Sequence, residues 1–343
     1  MKVMVTGGTG FVGSHTVNEL IKNSHDVRLL VRSKEKIKPA LQPFGIKAQD
    51  IDAVQGDVLD RRSIEEAAKG CDATIHCGSV YTLDPRAAKR INDTNVKGTE
   101  NVIDIAHSLG HDPIIHVSSF VALIGVKNAV LTPNSPPTEP PGVYLRSKAD
   151  SDKVARKYQE NGVPVVIVYP GSVWGPDDPH FGESCRIARS VLRGMWKMSV
   201  KGSLPISDVR DIAQLHASLM VKGKGPRRYL APMQNVNMNE IMKIFSDVTG
   251  KNFETTVFPG WAFLFPMKCL DVLQLILPLR LPFNYQAVYS VSCNHYGDDS
   301  TTRKDTGINP RPLSETIKDQ VSWMAQEEYI PPSLAGALGK KSN

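Results

Sequence analysis

Tyr144 and Lys148 stand four residues apart in a stretch of helical character, so their side chains share one face, one turn apart. An ammonium that close favours the ionised phenol and would lower its pKa from about 10 toward working pH, where a tyrosine can give or take a proton. Further back, the apolar run at 114–118 ends in Ser118, with Ser119 next, and a hydroxyl at the end of a parallel strand stands at the sheet's ligand-binding edge. It could hydrogen-bond a substrate carbonyl beside Tyr144. Each feature alone is common on an ordinary helix face or turn, so the elements that bring them together decide whether they form a site.

The first such element is the opening turn, Thr6-Gly7-Gly8-Thr9-Gly10-Phe11-Val12-Gly13, set between the apolar run Val3-Met4-Val5 and a helix-like stretch at 14–22. This order puts free backbone N–H groups where a pyrophosphate can bind. Gly7 can take the tight turn, Gly10 can admit phosphates close to the backbone, and Gly13 can let the helix pack near the strand. The second strand ends in Val31-Arg32-Ser33, near the distance from the glycine turn at which a residue meets the adenosine ribose. An acid there would accept from a free 2′-hydroxyl. Arg32 could instead bind a 2′-phosphate with paired hydrogen bonds, helped by Ser33, Lys34 or Lys36, which points to NADP. The alternative is NAD, with Arg32 an uninvolved surface residue.

Apolar runs at 2–6, 27–31, 53–55, 73–76, 114–118 and 165–169 alternate with helix-like stretches at 14–22, 61–69, 92–108 and 144–160. The rhythm predicts six βα-type units: an α/β fold with a Rossmann-type, doubly wound parallel sheet. Residues 127–142, rich in proline and polar groups, predict an irregular loop. After Gly171 the alternation stops, and separate helical patches at 209–220, 239–249 and 314–326 predict a smaller C-terminal substrate-binding lobe. The expected division is 1–175 for the nucleotide-binding domain, 176–330 for the lobe woven back onto it, and 331–343 for a loose tail, with 334–343 its loosest part.

With 41 basic and 35 acidic residues interleaved, the net charge of +6 gives no nucleic-acid stripe, and Arg227-Arg228 and Lys340-Lys341 read as solvated clusters. The five cysteines lack metal or disulfide spacing, which predicts reduced thiols in a cytoplasmic protein, and a strand starting at Lys2 leaves no room for a leader segment. No metal is expected, and His76, His116 and His216 read as structural. Residues 257–283 are rich in Phe, Leu and Trp, but Pro266, Pro278, Pro282, Lys268, Asp271 and Arg280 interrupt them. Short helices fit better than a membrane span, and a weak peripheral contact with lipid stays open.

The glycine turn, Asp57-Val58, His76-Cys77-Gly78-Ser79, Asn95-Val96-Lys97-Gly98-Thr99, Val117-Ser118-Ser119, Tyr144-Leu145-Arg146-Ser147-Lys148, Tyr169-Pro170-Gly171-Ser172-Val173-Trp174-Gly175-Pro176 and Asp208-Val209-Arg210-Asp211 follow one another in order. Together they closely resemble the extended short-chain dehydrogenase/reductase family, the NAD-dependent epimerase/dehydratase superfamily, in the branch of dihydroflavonol reductases and 3β-hydroxysteroid dehydrogenases. The resemblance runs from residue 1 to about 220. It implies that Tyr144 is the acid/base, that Lys148 lowers its pKa and holds the nicotinamide ribose, and that Ser119, rather than Ser118, polarises the substrate oxygen. Asn95 would belong to the site's proton relay. Gly7, Thr9, Gly10, Phe11, Val12 and Gly13 would hold the phosphates, Arg32 and Ser33 the ribose end, and Asp57 and Val58 the adenine. Cys77, Gly78, Ser79 and Val117 would line the cofactor's path, and Tyr169, Pro170 and Val173 would flank the nicotinamide. A homodimer through two helices of the sheet domain is also implied. The chain departs from the family at Cys77-Gly78-Ser79, Tyr169-Pro170 and Trp174, which puts sugar-nucleotide contacts in doubt.

Phe120 and Val121 follow Ser119, where the family's dehydratases carry acids. With Arg32 this favours net reduction of a ketone or aldehyde, or oxidation of the matching secondary alcohol: hydride from the nicotinamide and a proton from Tyr144. The alternatives are an NAD-dependent nucleotide-sugar epimerase and an NADP-sensing regulator without catalysis. Trp174, Phe181, Met195, Trp196, Met198, Trp261, Phe263 and Phe265 are core or, where they line the cleft, mark a lipophilic small-molecule substrate of sterol or flavonoid kind.

Overall fold

A computed structural model describes residues 1–82, 85–276 and 285–339, with the backbone alone at 85 and 272–276. Pro278, Arg280, Pro282 and Lys340-Lys341 lie outside the described residues. Seven parallel strands form the main sheet: β1 (Lys2–Thr6), β2 (Asp26–Val31), β3 (Asp52–Gln55), β4 (Ala73–His76), β5 (Ile114–Val117), β6 (Val165–Tyr169) and, after two strands of a second sheet, β9 (Arg227–Leu230). Their order is β9-β6-β5-β4-β1-β2-β3, with the direction reversing at β1 and β4, where a doubly wound sheet opens its ligand crevice. β1, β4, β5 and β6 are buried almost throughout because helices cover both faces of the sheet.

The predicted strands are present within a residue. The seventh, β9, escaped because it begins with Arg227-Arg228, which looks like surface. Instead Arg228 Nε donates to Gln159 Oε1 at 2.7 Å, and Gln159 Nε2 donates to the Arg227 carbonyl at 2.9 Å, fastening this edge to helix Val143–Glu160. Helix Phe11–Lys22 starts inside the glycine turn, three residues earlier than periodicity placed it. The helix expected at 92–108 starts at Ala88 and passes through a π turn, Asp93–Lys97, before Gly98–Ser108. Residues 127–142 are irregular apart from Val130–Leu131, paired with Tyr296–Gly297.

The lobe contains a second sheet of β7 (Ser172–Trp174), β8 (Leu204–Asp208) and β10 (Gln234–Val236). Helices Glu183–Leu192, Met238–Thr249 and Leu313–Gln326 surround a second core that includes Trp174 and Phe245. Asn237 and Glu240 cap Met238–Thr249 reciprocally. Asp208-Val209-Arg210-Asp211 joins the two parts. Arg210 Nη1 donates to Asp319 at 2.6 Å, Thr316 Oγ1 to Asp208 at 2.7 Å, and the Arg311 amide to Asp211 at 2.6 Å. The expected loose tail is largely docked. Pro332–Ala335 is helical, Ala335 is buried, and Leu334 and Leu338 pack on the second core, because a short apolar pair can seal a helix seam without periodicity.

One buried cluster fixes helix Val143–Glu160 to the sheet. Ser118 Oγ donates to Asp152 Oδ1 at 3.1 Å, Arg156 Nε donates to Asp152 Oδ2 at 2.8 Å, and Arg156 Nη2 donates to the Tyr169 hydroxyl at 2.8 Å. Replacing Asp152 with Ala should strand Arg156 and cost about 3–5 kcal/mol, read as a lower urea midpoint. An unchanged midpoint would show that the cluster does not hold the helix.

Candidate active site

The glycine turn lies at the C-terminal end of β1. Gly7 has φ of +72°, and a Cβ there would come within 2.7 Å of the Cys77 carbonyl carbon and the Gly78 nitrogen. A Cβ on Gly13 would overlap the Gly7 carbonyl oxygen. Gly10 caps helix Phe11–Lys22 without a side-chain hydrogen bond, so the helix presents its first N–H groups uncapped. Thr9, Phe11 and Val12 are partly exposed around it. This cradle fits a dinucleotide's pyrophosphate.

Around the crevice, Arg32 is exposed one residue past β2, and its guanidinium makes no hydrogen bond or ion pair among the described residues. Ser33 Oγ donates to Glu35 at 3.3 Å. Asp57 and Val58 follow β3, partly buried; Asp57 Oδ1 accepts from the Leu59 amide, and Val58 packs where Gly98 leaves no room for a Cβ. Beyond β4, burial pushes the Cys77 thiol up to about 12, which makes it inert at neutral pH. The Gly78 amide donates to Thr6 Oγ1 at 3.2 Å, and Ser79 Oγ donates to Asn95 Oδ1 at 3.1 Å.

Asn95, 2% exposed, ties this loop to helix Val143–Glu160. Its Oδ1 also accepts from the Val80 amide, and its Nδ2 donates to the Val80 carbonyl and, at 3.0 Å, to Ser147 Oγ. Ser147 in turn donates to the Tyr144 carbonyl at 2.8 Å. The π turn puts Asn95 where its amide meets all these partners, as such turns often do at functional positions.

Ser119 lies close enough to the Tyr144 side chain to favour the ionised phenol, whereas Ser118 donates to Asp152. Of the two serines, Ser118 is held in the buried anchoring cluster and Ser119 faces Tyr144. Tyr81 packs edge-on to Tyr144, with ring centres 4.7 Å apart. Lys148 is 6% exposed, and burial pulls its ammonium down to about 8 against the influence of Cys77 and Asp152. The expected lowering of the Tyr144 pKa is not found. Burial pushes the phenol up, and Ser119 beside it only partly opposes this.

Tyr169 is also corrected. Its side chain is fully buried and bonded to Arg156 and Asp152, so its ring faces the core and not a nicotinamide. Pro170 is buried and accepts from the Phe120 amide at 2.8 Å, while Val117 and Val173 pack with the sheet core. Trp174 is core too, and Phe181 stacks on Tyr329. Met195, Met198, Trp261 and Phe265 are exposed on the lobe's outside. His76 and His216 are held neutral by burial, at about 3, and bonded to Thr6 and Thr16. His116 is also buried and neutral, and stacks on His76.

Sequence reasoning missed Gln286, 4% exposed on helix Tyr285–Ser292. Its Oε1 accepts from the Tyr144 amide at 3.0 Å and the Leu145 amide at 3.4 Å, capping helix Val143–Glu160 from the other lobe. Gly142, with φ of +94°, makes room for it, since a Cβ there would strike the Gln286 side chain. Only the glycine before Val143 hinted at this from sequence.

Gln286→Ala should lower kcat by roughly tenfold with nucleotide affinity unchanged, and Gln286→Glu, which keeps the acceptor, should restore most of it. Equal kcat in the two variants would rule out a positioning role. Lys148 gives a pH test. Its folded pKa lies below the ordinary 10.5, so the folded chain binds fewer protons here than the unfolded chain between about pH 8 and 10.5. Raising the pH through that window should therefore stabilise the protein, measured without nucleotide. Lys148→Met should remove this gain and be the more stable protein near pH 7, by at most about 3 kcal/mol. Parallel pH profiles for the two proteins would show that Lys148 is not the group responsible.

The model of the NAD dependent epimerase/dehydratase family matches residues 3–230. Sterol demethylase protein B of Methylococcus capsulatus is 26% identical over 96% of this chain and 100% of that protein. A 4-hydroxy-2-methyl-3-oxo-4-farnesyl-3,4-dihydroquinoline-1-oxide ketoreductase of Stigmatella aurantiaca is 27% identical, over 91% of this chain and 92% of its own length. The solved UDP-glucuronic acid 4-epimerase of Bacillus cereus in complex with NAD shares the fold with a TM-score of 0.71 at 16% identity, covering 95% of this chain and 97% of that one. With the family's pattern matched over two thirds of its length and a crevice of the geometry described, the chain belongs to the NAD dependent epimerase/dehydratase family, the extended short-chain dehydrogenases/reductases.

Proposed function

We propose that the protein is an NADP(H)-dependent oxidoreductase that interconverts a carbonyl and the matching secondary alcohol on a lipophilic substrate. The observation that carries this reading is the placement of Ser119 beside the Tyr144 phenol, one helical turn from buried Lys148. A bound nicotinamide would supply or accept the hydride. In reduction, the Tyr144 hydroxyl gives its proton to the substrate oxygen, which Ser119 also holds. The Lys148 ammonium stabilises the phenolate left behind. Burial that keeps the proton on Tyr144 at neutral pH suits this donor role. Oxidation runs the same proton path in reverse.

Arg32, exposed and unpaired among the described residues, supports recognition of a 2′-phosphate, with Lys34 and Lys36 close by in sequence. The farnesyl-bearing substrate in the name of the ketoreductase relative supports a lipophilic carbonyl compound.

The test is titration with NADPH and NADH, followed by NADPH consumption over a panel of ketones, aldehydes and sugar nucleotides. NADPH turnover with a lipophilic carbonyl is expected. Tyr144→Phe should cut kcat by about 10²–10⁴-fold, and Arg32→Asp should shift preference toward NADH by about tenfold or more. Tightly held NAD with turnover of a sugar nucleotide would replace the reductase with an epimerase.

A further inference from the structure

Helix Trp261–Ile276 carries an outward stripe at one-turn spacing: Trp261 is 76% exposed, Phe265 is 75% exposed, and Lys268 is exposed beside them. Three residues before the helix, strand Thr256–Phe258 pairs with Met198–Val200, and exposed Met198 stands between exposed Lys197 and Lys201 in sequence. The Lys201 amide donates to the Phe258 carbonyl, and the Phe258 and Phe263 rings lie 6.1 Å apart, so strand pair and helix form one surface. Two large aromatics held in water on a helix that also exposes Lys268, next to a strand pair that exposes Met198, Lys197 and Lys201 at its edge, are unusual for a lone soluble face.

Two acids lie near these lysines in sequence, which leaves three ammonium groups against two carboxylates. Asp271, on the helix, accepts from the Tyr285 amide at 3.5 Å, and Glu254, before the strand, accepts from Asn252. The surface also adjoins the candidate site. Helix Trp261–Ile276 packs on Tyr285–Ser292, which carries Gln286, and on Pro85–Ala87, just beyond Tyr81.

We propose that this face docks on an anionic lipid surface, with Trp261, Phe265 and Met198 entering the headgroup boundary and Lys197, Lys201 and Lys268 meeting lipid phosphates. Aromatic and apolar insertion beside basic side chains is the chemistry of interfacial binding. Two-fold pairing with a second copy would bring two patches of the same net positive charge together, which argues against that occupant. The proposal rests on the lipophilic-substrate reading and extends it: a substrate dissolved in the bilayer would reach Tyr144 from the lobe's mouth.

Binding is measured by co-sedimentation with vesicles of phosphatidylcholine, with and without phosphatidylglycerol. Trp261 fluorescence is the second readout, taken as the difference between the wild type and Trp261→Phe, since Trp174 and Trp323 are buried and Trp196 is partly exposed. Preferential binding to the anionic vesicles is expected, with a blue shift that Trp261→Phe removes. Trp261→Glu with Phe265→Glu should weaken partitioning by about tenfold or more, leaving NADPH affinity and turnover of a water-soluble ketone unchanged. Gln at positions 197, 201 and 268 should abolish the anionic preference. Lack of binding to either vesicle, equal binding by the double variant, or a concentration-dependent dimer that the double variant abolishes would overturn the docking. A wild-type protein that turns over the ketone but binds neither vesicle sinks only this inference, whereas docking without carbonyl turnover sinks only the reductase reading.

Discussion

The passage of Gly7 against the Cys77–Gly78 peptide is the constraint on which the rest of the site depends. Because only a glycine fits there, the Gly78 amide comes within reach of Thr6 Oγ1, and a single donor order runs onward. Thr6 donates to His76 Nδ1 at 2.6 Å, His76 Nε2 to Thr99 at 3.2 Å, and Thr99 to the Asn95 carbonyl at 2.7 Å. The buried, neutral imidazole can hold only one proton, so this direction is self-consistent. Asn95 then carries the register through Ser147 to the backbone of Tyr144. The phosphate cradle and the proton donor are thus set relative to each other by one continuous run of hydrogen bonds through the sheet's C-terminal edge.

Burial does different work at the residues along this edge. It keeps Tyr144 protonated, makes Cys77 unreactive and weakens the hold of Lys148 on its charge. In the proposed reaction the cost of keeping Lys148 here is offset when a negative charge forms on the Tyr144 oxygen beside it. Asp152 and Arg156, lower on the same helix, neutralise each other and serve anchorage instead.

Much of this was legible beforehand, for identifiable reasons. Parallel strands buried on both faces leave short runs rich in Val and Ile, and Gly7 and Gly13 of the opening turn leave no room for a Cβ against neighbouring backbone. Ser119, Tyr144, Lys148 and Asn95 do meet around one crevice edge. The misreadings share a cause, which is that local pattern does not report direction. Tyr169 at a strand end looks the same whether it faces core or crevice, Arg227 and Arg228 mask an edge strand, and the seam under Ala335 is too short for periodicity. Gln286 was invisible because its partners lie more than a hundred residues away, and the pKa of Tyr144 depends on burial that spacing cannot reveal.

The cap that Gln286 places on helix Val143–Glu160 has a consequence for the order in which the protein is made. On the ribosome, the glycine turn, Arg32, Ser119, Tyr144 and Lys148 all emerge well before residue 286. A nascent sheet domain therefore holds every group of the proposed proton transfer while the first amides of their helix still lack this acceptor. Cradle and catalytic side chains are written into the first half of the chain, but the setting of Tyr144 is completed only when the last quarter folds back onto it.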